Sequence, residues 1–464
     1  MSPNTESLEQ LRQRIVRLEA DIARLSRRDA LTGLLNRVSF YSVIEAACAG
    51  SSDPARFQGA MVTVLVRGLP KISGTLGRHA GDYVLSSLAA RLNQMARPGM
   101  ICARMDQSQF GIFVPQVSTP DAAHLSADEL LALLAQPVEW LDRPLSIELS
   151  TGISLLSDSG HDTVTLIQNA ELALEVALTR GNQSRVLFNP DIARSFKRRN
   201  DVLYALQGCL ENNEMSLRYQ PVYDARSGAL NGFEALMRMN SRDLGAVSPA
   251  EFIPLAESVG LIAPIGAWAL AEACRAARHW PNHLRLAVNI SPEQFHSGTL
   301  VEDVKVALDN SGFDATRLEL EITESTLLVN SDSVLEQLGA LYDIGCSIVL
   351  DDFGTGYSSL SYLWKFPFAK LKLDKAFISA MDLTASAKGV AQSVIGLAAS
   401  LKLKITAEGI ENAGQVRNLR DLGVHYLQGF YFSPPVAEAD LAPLVLRDFS
   451  KLYPAKTVPQ ARTA

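Results

Sequence analysis

The chain has 464 residues, of which 47% are hydrophobic and 20% charged, with 30 Gly and 21 Pro. That composition excludes a largely disordered, collagen-like or low-complexity chain, and the length requires two or three globular domains. Lys and Arg number 43 against 50 Asp and Glu, a formal net charge of −7, which argues against duplex nucleic acid as a main partner.

The chain begins with an a/d seam. Leu8, Leu11, Ile15, Leu18, Ile22 and Leu25 alternate spacings of three and four with charged residues between, which predicts a short coiled coil over 1–28 and a homodimer. From 29 to 190 strand and helix signals alternate. Apolar strands are expected at 61–66, 110–114 and 146–155, and helices at 83–95, 128–134 and 164–179. This predicts an α/β domain. Residues 191–212, with the basic run Lys197-Arg198-Arg199, read as a linker helix.

From 213 to 450 the pattern changes. Eight β-rich runs follow, at 217–223, 230–237, 284–290, 318–323, 347–350, 369–373, 404–407 and 426–432. Helical stretches separate all but the first two, which predicts a TIM-type (β/α) barrel. The link between the first two, residues 224–229, is too short for a parallel crossover. It makes a hairpin, so one barrel strand runs antiparallel. Residues 451–464 have no periodic pattern and read as a disordered tail.

Polar residues stand at the ends of these otherwise apolar strands. They are Gln220, Glu234, Asn289, Glu321, Asp351 with Asp352, Lys372, Glu408 and Gln428. Gln220 and Glu234 are nearly equidistant from the hairpin turn and are expected to face each other. The carboxyl rim of this barrel type is where active sites are built. Five carboxylates converging there with one Lys repel unless cations neutralise them. Carboxylate and amide oxygens suit Mg²⁺ or Mn²⁺. Adjacent Asp351 and Asp352 would let one carboxylate bridge two metals, the arrangement of in-line phosphodiester hydrolysis. Lys372 would stabilise charge developing near the phosphate.

Glu234-Ala235-Leu236-Met237-Arg238 resembles the signature of the EAL-domain cyclic di-GMP phosphodiesterases. The family's other motifs follow in order: Tyr219-Gln220-Pro221, Asn289-Ile290-Ser291, Glu321-Ile322-Thr323-Glu324, the run from Asp351 to Ser359, Lys372-Leu373-Asp374, Glu408-Gly409-Ile410-Glu411 and Gln428-Gly429. The resemblance implies two metal ions, Mg²⁺ or Mn²⁺, per barrel. Glu234, Asn289, Glu321 and Asp351 would hold one, and Asp351, Asp352 and Glu408 the second. It further implies that Lys372 and Gln428 contact the metal-bound water, and that Gln220, Arg238 and Glu411 bind cyclic di-GMP. Glu324 would brace the 351–359 loop, which in this family lies near the dimer contact.

The 29–190 domain resembles the GGDEF diguanylate cyclases. Asp29-Ala30-Leu31-Thr32-Gly33-Leu34-Leu35-Asn36-Arg37 matches that family's opening motif, and Gly81-Asp82 its central helix. The chemistry does not match. By register, the metal-binding Asp falls at Leu65 and the guanine-reading Asn at Ser73. The signature hairpin reads Asp106-Gln107-Ser108-Gln109-Phe110, without its glycines and acids. A turn against phosphate wants Gly, and a metal wants a carboxylate that Gln109 cannot supply. The product-inhibition Arg-x-x-Asp reads Arg97-Pro98-Gly99-Met100. The domain is therefore expected to keep a nucleotidyl-cyclase-like fold and to lack cyclase activity.

Other features weigh less. The seven histidines form no ligand-spaced cluster. The five cysteines, without zinc spacing, read as reduced residues of a cytoplasmic protein. The most apolar long window, 259–277, holds Glu272 and Arg275 and is interrupted by Pro264, so no membrane span is expected. Four functions compete: a metal-dependent phosphodiesterase converting cyclic di-GMP to linear pGpG, a silent cyclic di-GMP receptor, a bifunctional cyclase and hydrolase, and an unrelated two-metal barrel hydrolase. Silent receptors are expected to lose metal ligands, and none is lost here. A sensor or effector partner is also expected.

Overall fold

The computed structural model describes residues 27–49, 58–160, 162–327, 331–353, 366–381, 385–447 and 449. The heptad seam, most of the 351–359 loop and the 451–464 tail lie outside them. The chain forms two compact units that divide between Arg198 and Arg199.

The first unit is an α/β layer structure. Its strands are β1 (Leu35–Asn36), β2 (Gly59–Arg67), β3 (Ile101–Asp106), β4 (Gln109–Pro115), the small hairpin β5 (Val138–Trp140) and β6 (Arg143–Leu145), β7 (Glu148–Leu155) and β8 (Arg185–Leu187). Six make one sheet in the order β1-β3-β4-β2-β7-β8, with β2 antiparallel to both its neighbours. The apolar run of β2 is continuous because both faces are covered. Val62 and Val64 pack with Leu88 and Leu130 on one side, and Met61 packs with Phe40 and Ile167 on the other. The helix Thr163–Thr179 lies directly on Gly152 of β7, where a Cβ would stand 2.0 Å from Ala170 O.

Asp29 shows what the opening motif does structurally. Its Oδ1 accepts from Thr32 N at 2.8 Å and Thr32 Oγ1 at 2.7 Å, and Arg104 Nη1 pairs with it at 3.2 Å. Burial works to raise its pKa, but these hydrogen bonds and Arg104 outweigh it and hold the carboxyl below its ordinary value. The motif thus ties the start of the unit to β3.

In the second unit, nine strands follow: β9 (Met215–Asp224), β10 (Leu230–Ser241), β11 (Gly245–Val247), β12 (Arg285–Ile290), β13 (Leu318–Thr323), β14 (Ser347–Asp351), β15 (Lys370–Leu373), β16 (Lys404–Ala407) and β17 (Tyr426–Gln428). β10 and β12 to β17 pair in parallel, and β9 closes the barrel antiparallel to both β10 and β17. The expected eight-stranded barrel with one reversed strand is present, and the reversed strand is the first arm of the hairpin. Gln220 lies opposite Glu234, as their distances from the turn require.

Two local expectations are corrected. The last run is a strand only to Gln428, because Gly429 turns the chain tightly against Ile410. A Cβ there would stand 2.2 Å from both Ile410 N and Ile410 O. Pro264 does not interrupt its apolar window. It sits in the first turn of the helix Ile262–Ala277, where a missing N–H has no intrahelical partner to lose.

Candidate active site at the carboxyl end of the barrel

Strand polarity places the site. Each parallel strand runs outward from the core, and successive side chains alternate between the barrel interior and the surrounding helices. Glu321 and Lys372 therefore point inward, while their neighbours Leu320, Ile322, Leu371 and Leu373 join the apolar core. Asp351 ends β14, Gln428 ends β17, and Glu408 directly follows β16.

The side chains meet on Lys372. Its Nζ lies 2.6 Å from Glu321 Oε2, 2.6 Å from Glu408 Oε1, 3.1 Å from Asp351 Oδ2 and 3.4 Å from Glu234 Oε2. Glu234 receives two more donors. Asn289 Nδ2, on the exposed rim, gives to Oε1 at 2.6 Å, and Gln428 Nε2 gives to Oε2 at 2.6 Å. Gln428 Nε2 also reaches Gln220 Oε1 at 3.1 Å, and Gln220 Nε2 donates to Ser433 O at 3.3 Å.

Three buried carboxylates and the partly exposed Glu408 around one ammonium leave an excess of negative charge, and their protonation reflects it. Burial and repulsion from Glu234 push Glu321 well above the carboxylate range. Burial pushes Glu408 up to about 8, against the pull of Lys372. Burial acts the same way on Glu234, but Lys372, Gln428 and Asn289 prevail and hold it down. For Lys372, burial favours the neutral amine, and the carboxylates around it overcome this and raise its pKa.

The set has the chemistry of a hard divalent-cation site: carboxylate oxygens, one amide, and surplus negative charge. Gln428 Oε1 is buried without a hydrogen-bond partner, an acceptor available to a donor or water. The carboxylates are drawn in on the ammonium. Accordingly, no group of three or more His, Cys, Asp or Glu among the described residues stands at metal-binding spacing. Asp352, half-buried, has φ of 52°, and Asp351 Oδ1 accepts from its backbone N–H at 2.8 Å. Burial and the adjacent Asp351 raise its pKa.

An open cleft of about 250 Å³ adjoins the cluster, lined by Gln220, Glu234, Glu408, Glu411 and Gln428. Glu411 is exposed and pairs with Lys375 at 2.6 Å. Arg238 is half-buried and donates to Met237 O at 2.7 Å. Burial and the nearby Arg218 lower its pKa. Glu324 is buried in the short turn Glu324–Leu327, while most of the loop it was expected to brace lies outside the described residues.

Sequence reading missed two cleft residues. Phe430, 66% exposed, looks like one more apolar residue of a strand, and only the turn at Gly429 turns it outward. Lys375 follows the Lys372-Leu373-Asp374 motif, and its charge could have flagged it.

Residues 202–435 match the EAL domain, and residues 26–184 match the diguanylate cyclase GGDEF domain. The chain is 32% identical over 453 residues to the cyclic di-GMP phosphodiesterase NbdA of Pseudomonas aeruginosa, covering 96% of this chain and 56% of that protein. It is 33% identical over 435 residues to the bifunctional diguanylate cyclase/cyclic di-GMP phosphodiesterase MucR of the same organism, covering 92% and 63%. The chain thus spans little more than half the length of most of the curated relatives it matches. A solved structure described as the PaMucR phosphodiesterase in complex with c-di-GMP superposes with a TM-score of 0.50 at 39% identity. It covers 52% of this chain and 99% of that one.

Proposed function

The chain belongs to the tandem GGDEF–EAL domain proteins, and from that premise we propose that its barrel is a metal-dependent phosphodiesterase converting cyclic di-GMP to linear pGpG. The observation that carries this reading is the convergence of Glu234, Glu321, Asp351 and Glu408 on Lys372 at the strand ends, with Asn289 on Glu234.

Glu234, Asn289, Glu321, Asp351, Asp352 and Glu408 would hold two Mg²⁺ or Mn²⁺ ions. When bound, the ions supply Lewis acidity and a nucleophile at neutral pH. The protein's own groups do the rest. Gln220, Arg238 and Glu411 orient the dinucleotide in the cleft. Lys372 presents positive charge to the phosphoryl oxygens as the transition state gains charge. Water adds to one phosphorus, the bond to the ribose O3′ breaks, and that oxygen leaves with a proton. The ring opens to a linear dinucleotide with a 5′-phosphate.

The first unit serves as a regulatory domain without cyclase chemistry, and the chain acts in the cytoplasm as a homodimer joined through the 1–28 seam. All five cysteines are free, in keeping with a reducing compartment. Among the described residues no helix is long and apolar enough to cross a membrane. We divide the chain at 1–28, 29–190, 191–212, 213–450 and 451–464. The alternative reading, a cyclic di-GMP receptor with little or no turnover, shares the cleft and differs in chemistry. Incubation with cyclic di-GMP and Mn²⁺, with and without a chelator, separates the two. The phosphodiesterase yields pGpG only when metal is free, whereas a receptor returns the cyclic dinucleotide intact in both.

A further inference from the structure

A second charged layer lies inside the barrel beneath the site. Glu319 precedes Glu321 by two residues on β13, and Lys370 precedes Lys372 by two on β15, so all four point inward. Glu319 Oε2 accepts from Lys370 Nζ at 2.7 Å, and Glu319 Oε1 from Arg285 Nη1 at 3.1 Å. Both members of the Glu319–Lys370 pair are 5% exposed. Lys370 Nζ also stands 4.2 Å from the centre of the Tyr426 ring. Glu319, Glu321, Lys370 and Lys372 line one small internal space.

Barrel interiors of this type are ordinarily filled by branched apolar residues. A buried ion pair is no better for stability than well-packed hydrophobes of similar volume. The layer therefore needs another reason. Two residues along a strand is roughly 7 Å, a distance the flexible Lys372 side chain covers by folding downward instead of upward. Glu319 is then a rival for the ammonium that holds Glu321, Glu408, Asp351 and Glu234 together. Arg285, whose side chain is 38% exposed, engages only the other carboxylate oxygen.

We propose that Lys370 is a positioning residue: by occupying Glu319 it keeps the Lys372 ammonium committed to the carboxylates at the rim. Only the turnover part of its test rests on the phosphodiesterase reading.

The test uses the full chain carrying Lys370→Met, alone and with Glu319→Gln. In a crystal structure of Lys370→Met, Lys372 Nζ should lie on Glu319. Calorimetric Mn²⁺ titration should give binding about threefold or more tighter, because the competing ammonium has left the rim. Turnover should fall about tenfold with KM changed by less than about threefold. The double variant removes the rival anion and should bring both Mn²⁺ affinity and turnover back to within about threefold of the parent. A merely structural pair predicts the opposite for the metal: in Lys370→Met, stability falls because Glu319 is left without its cation, Mn²⁺ affinity is unchanged or weaker, and Lys372 Nζ stays at the rim. Lys372 Nζ still on Glu321 and Glu408 in Lys370→Met would overturn the proposal. Should Lys370→Met fail to fold, Lys370→Gln takes its place in the same two measurements: Lys372 Nζ on Glu319 with tighter Mn²⁺ binding supports the proposal, and Lys372 Nζ at the rim with unchanged Mn²⁺ binding overturns it. A parent without turnover would end the phosphodiesterase reading and leave the structural and Mn²⁺ measurements to decide this one.

Discussion

Gln428 and Glu234 meet across the closure of the barrel, with Gln428 Nε2 donating to Glu234 Oε2 at 2.6 Å while the same amide reaches Gln220 Oε1 at 3.1 Å. The strand between them, β9, is the antiparallel one. The seam where the barrel closes is thus fastened by the residues that border the cleft.

The first prediction follows from that contact. Gln428→Leu removes a donor from a buried carboxylate and should destabilise the protein by about 1.5–3 kcal/mol. Turnover should fall about tenfold or more as Glu234 loses its fixed orientation. Thermal unfolding and steady-state kinetics on the same preparation check both.

The second concerns Gly429. Any side chain there meets the Ile410 backbone at 2.2 Å, so Gly429→Ala must push the turn away from residue 410 and carry Gln428 with it. The expected cost is about 1–3 kcal/mol, read as a lower midpoint in urea unfolding with an unchanged slope. A variant as stable as the parent would mean that this turn yields freely.

How much of this was legible in the sequence depended on periodicity. The facing of Gln220 and Glu234 followed from a short turn and a period of two, and the bounds of β13 and β16 agree with the runs expected at 318–323 and 404–407. The run after Gln428 was misread because Phe430, Tyr431 and Phe432 continue an apolar pattern that a close backbone approach at Gly429 cuts short. The convergence of the rim carboxylates with one Lys is readable from the strand ends, but not that the Lys372 ammonium stands at the centre of them. That geometry depends on how five strands bring their side chains together, which spacing along one strand does not encode.

The third prediction is that the first unit makes no cyclic di-GMP. Leu65 and Gln109 are paired neighbours on β2 and β4, and the turn between β3 and β4 is Gln107-Ser108. Neither supplies a carboxylate for metal or a glycine for close phosphate approach. Glu234→Ala protein, which would preserve any product, should return GTP unchanged in Mg²⁺ by chromatography. Accumulated cyclic di-GMP would overturn the assignment, and a carboxylate at position 109 alone should not create activity.

The fourth concerns assembly. A heptad seam raises the effective concentration of two linked barrels to about the millimolar range for short connections. Placing Lys at Leu11 and Leu18 should lower activity at nanomolar protein and restore it as concentration rises. Activity independent of concentration in parent and variant alike would leave the seam without a catalytic role.

The most direct measurement is product formation from cyclic di-GMP by the parent and by Asp351→Ala, side by side with Mn²⁺. Asp351 pairs with Lys372 at 3.1 Å and is the carboxylate proposed to serve both metal ions. The parent should yield pGpG and the variant none. The variant should keep its fold, with metal-free thermal stability equal or higher because one of four mutually repelling carboxylates is gone. Undiminished turnover in Asp351→Ala would contradict the assignment of hydrolysis to this cluster.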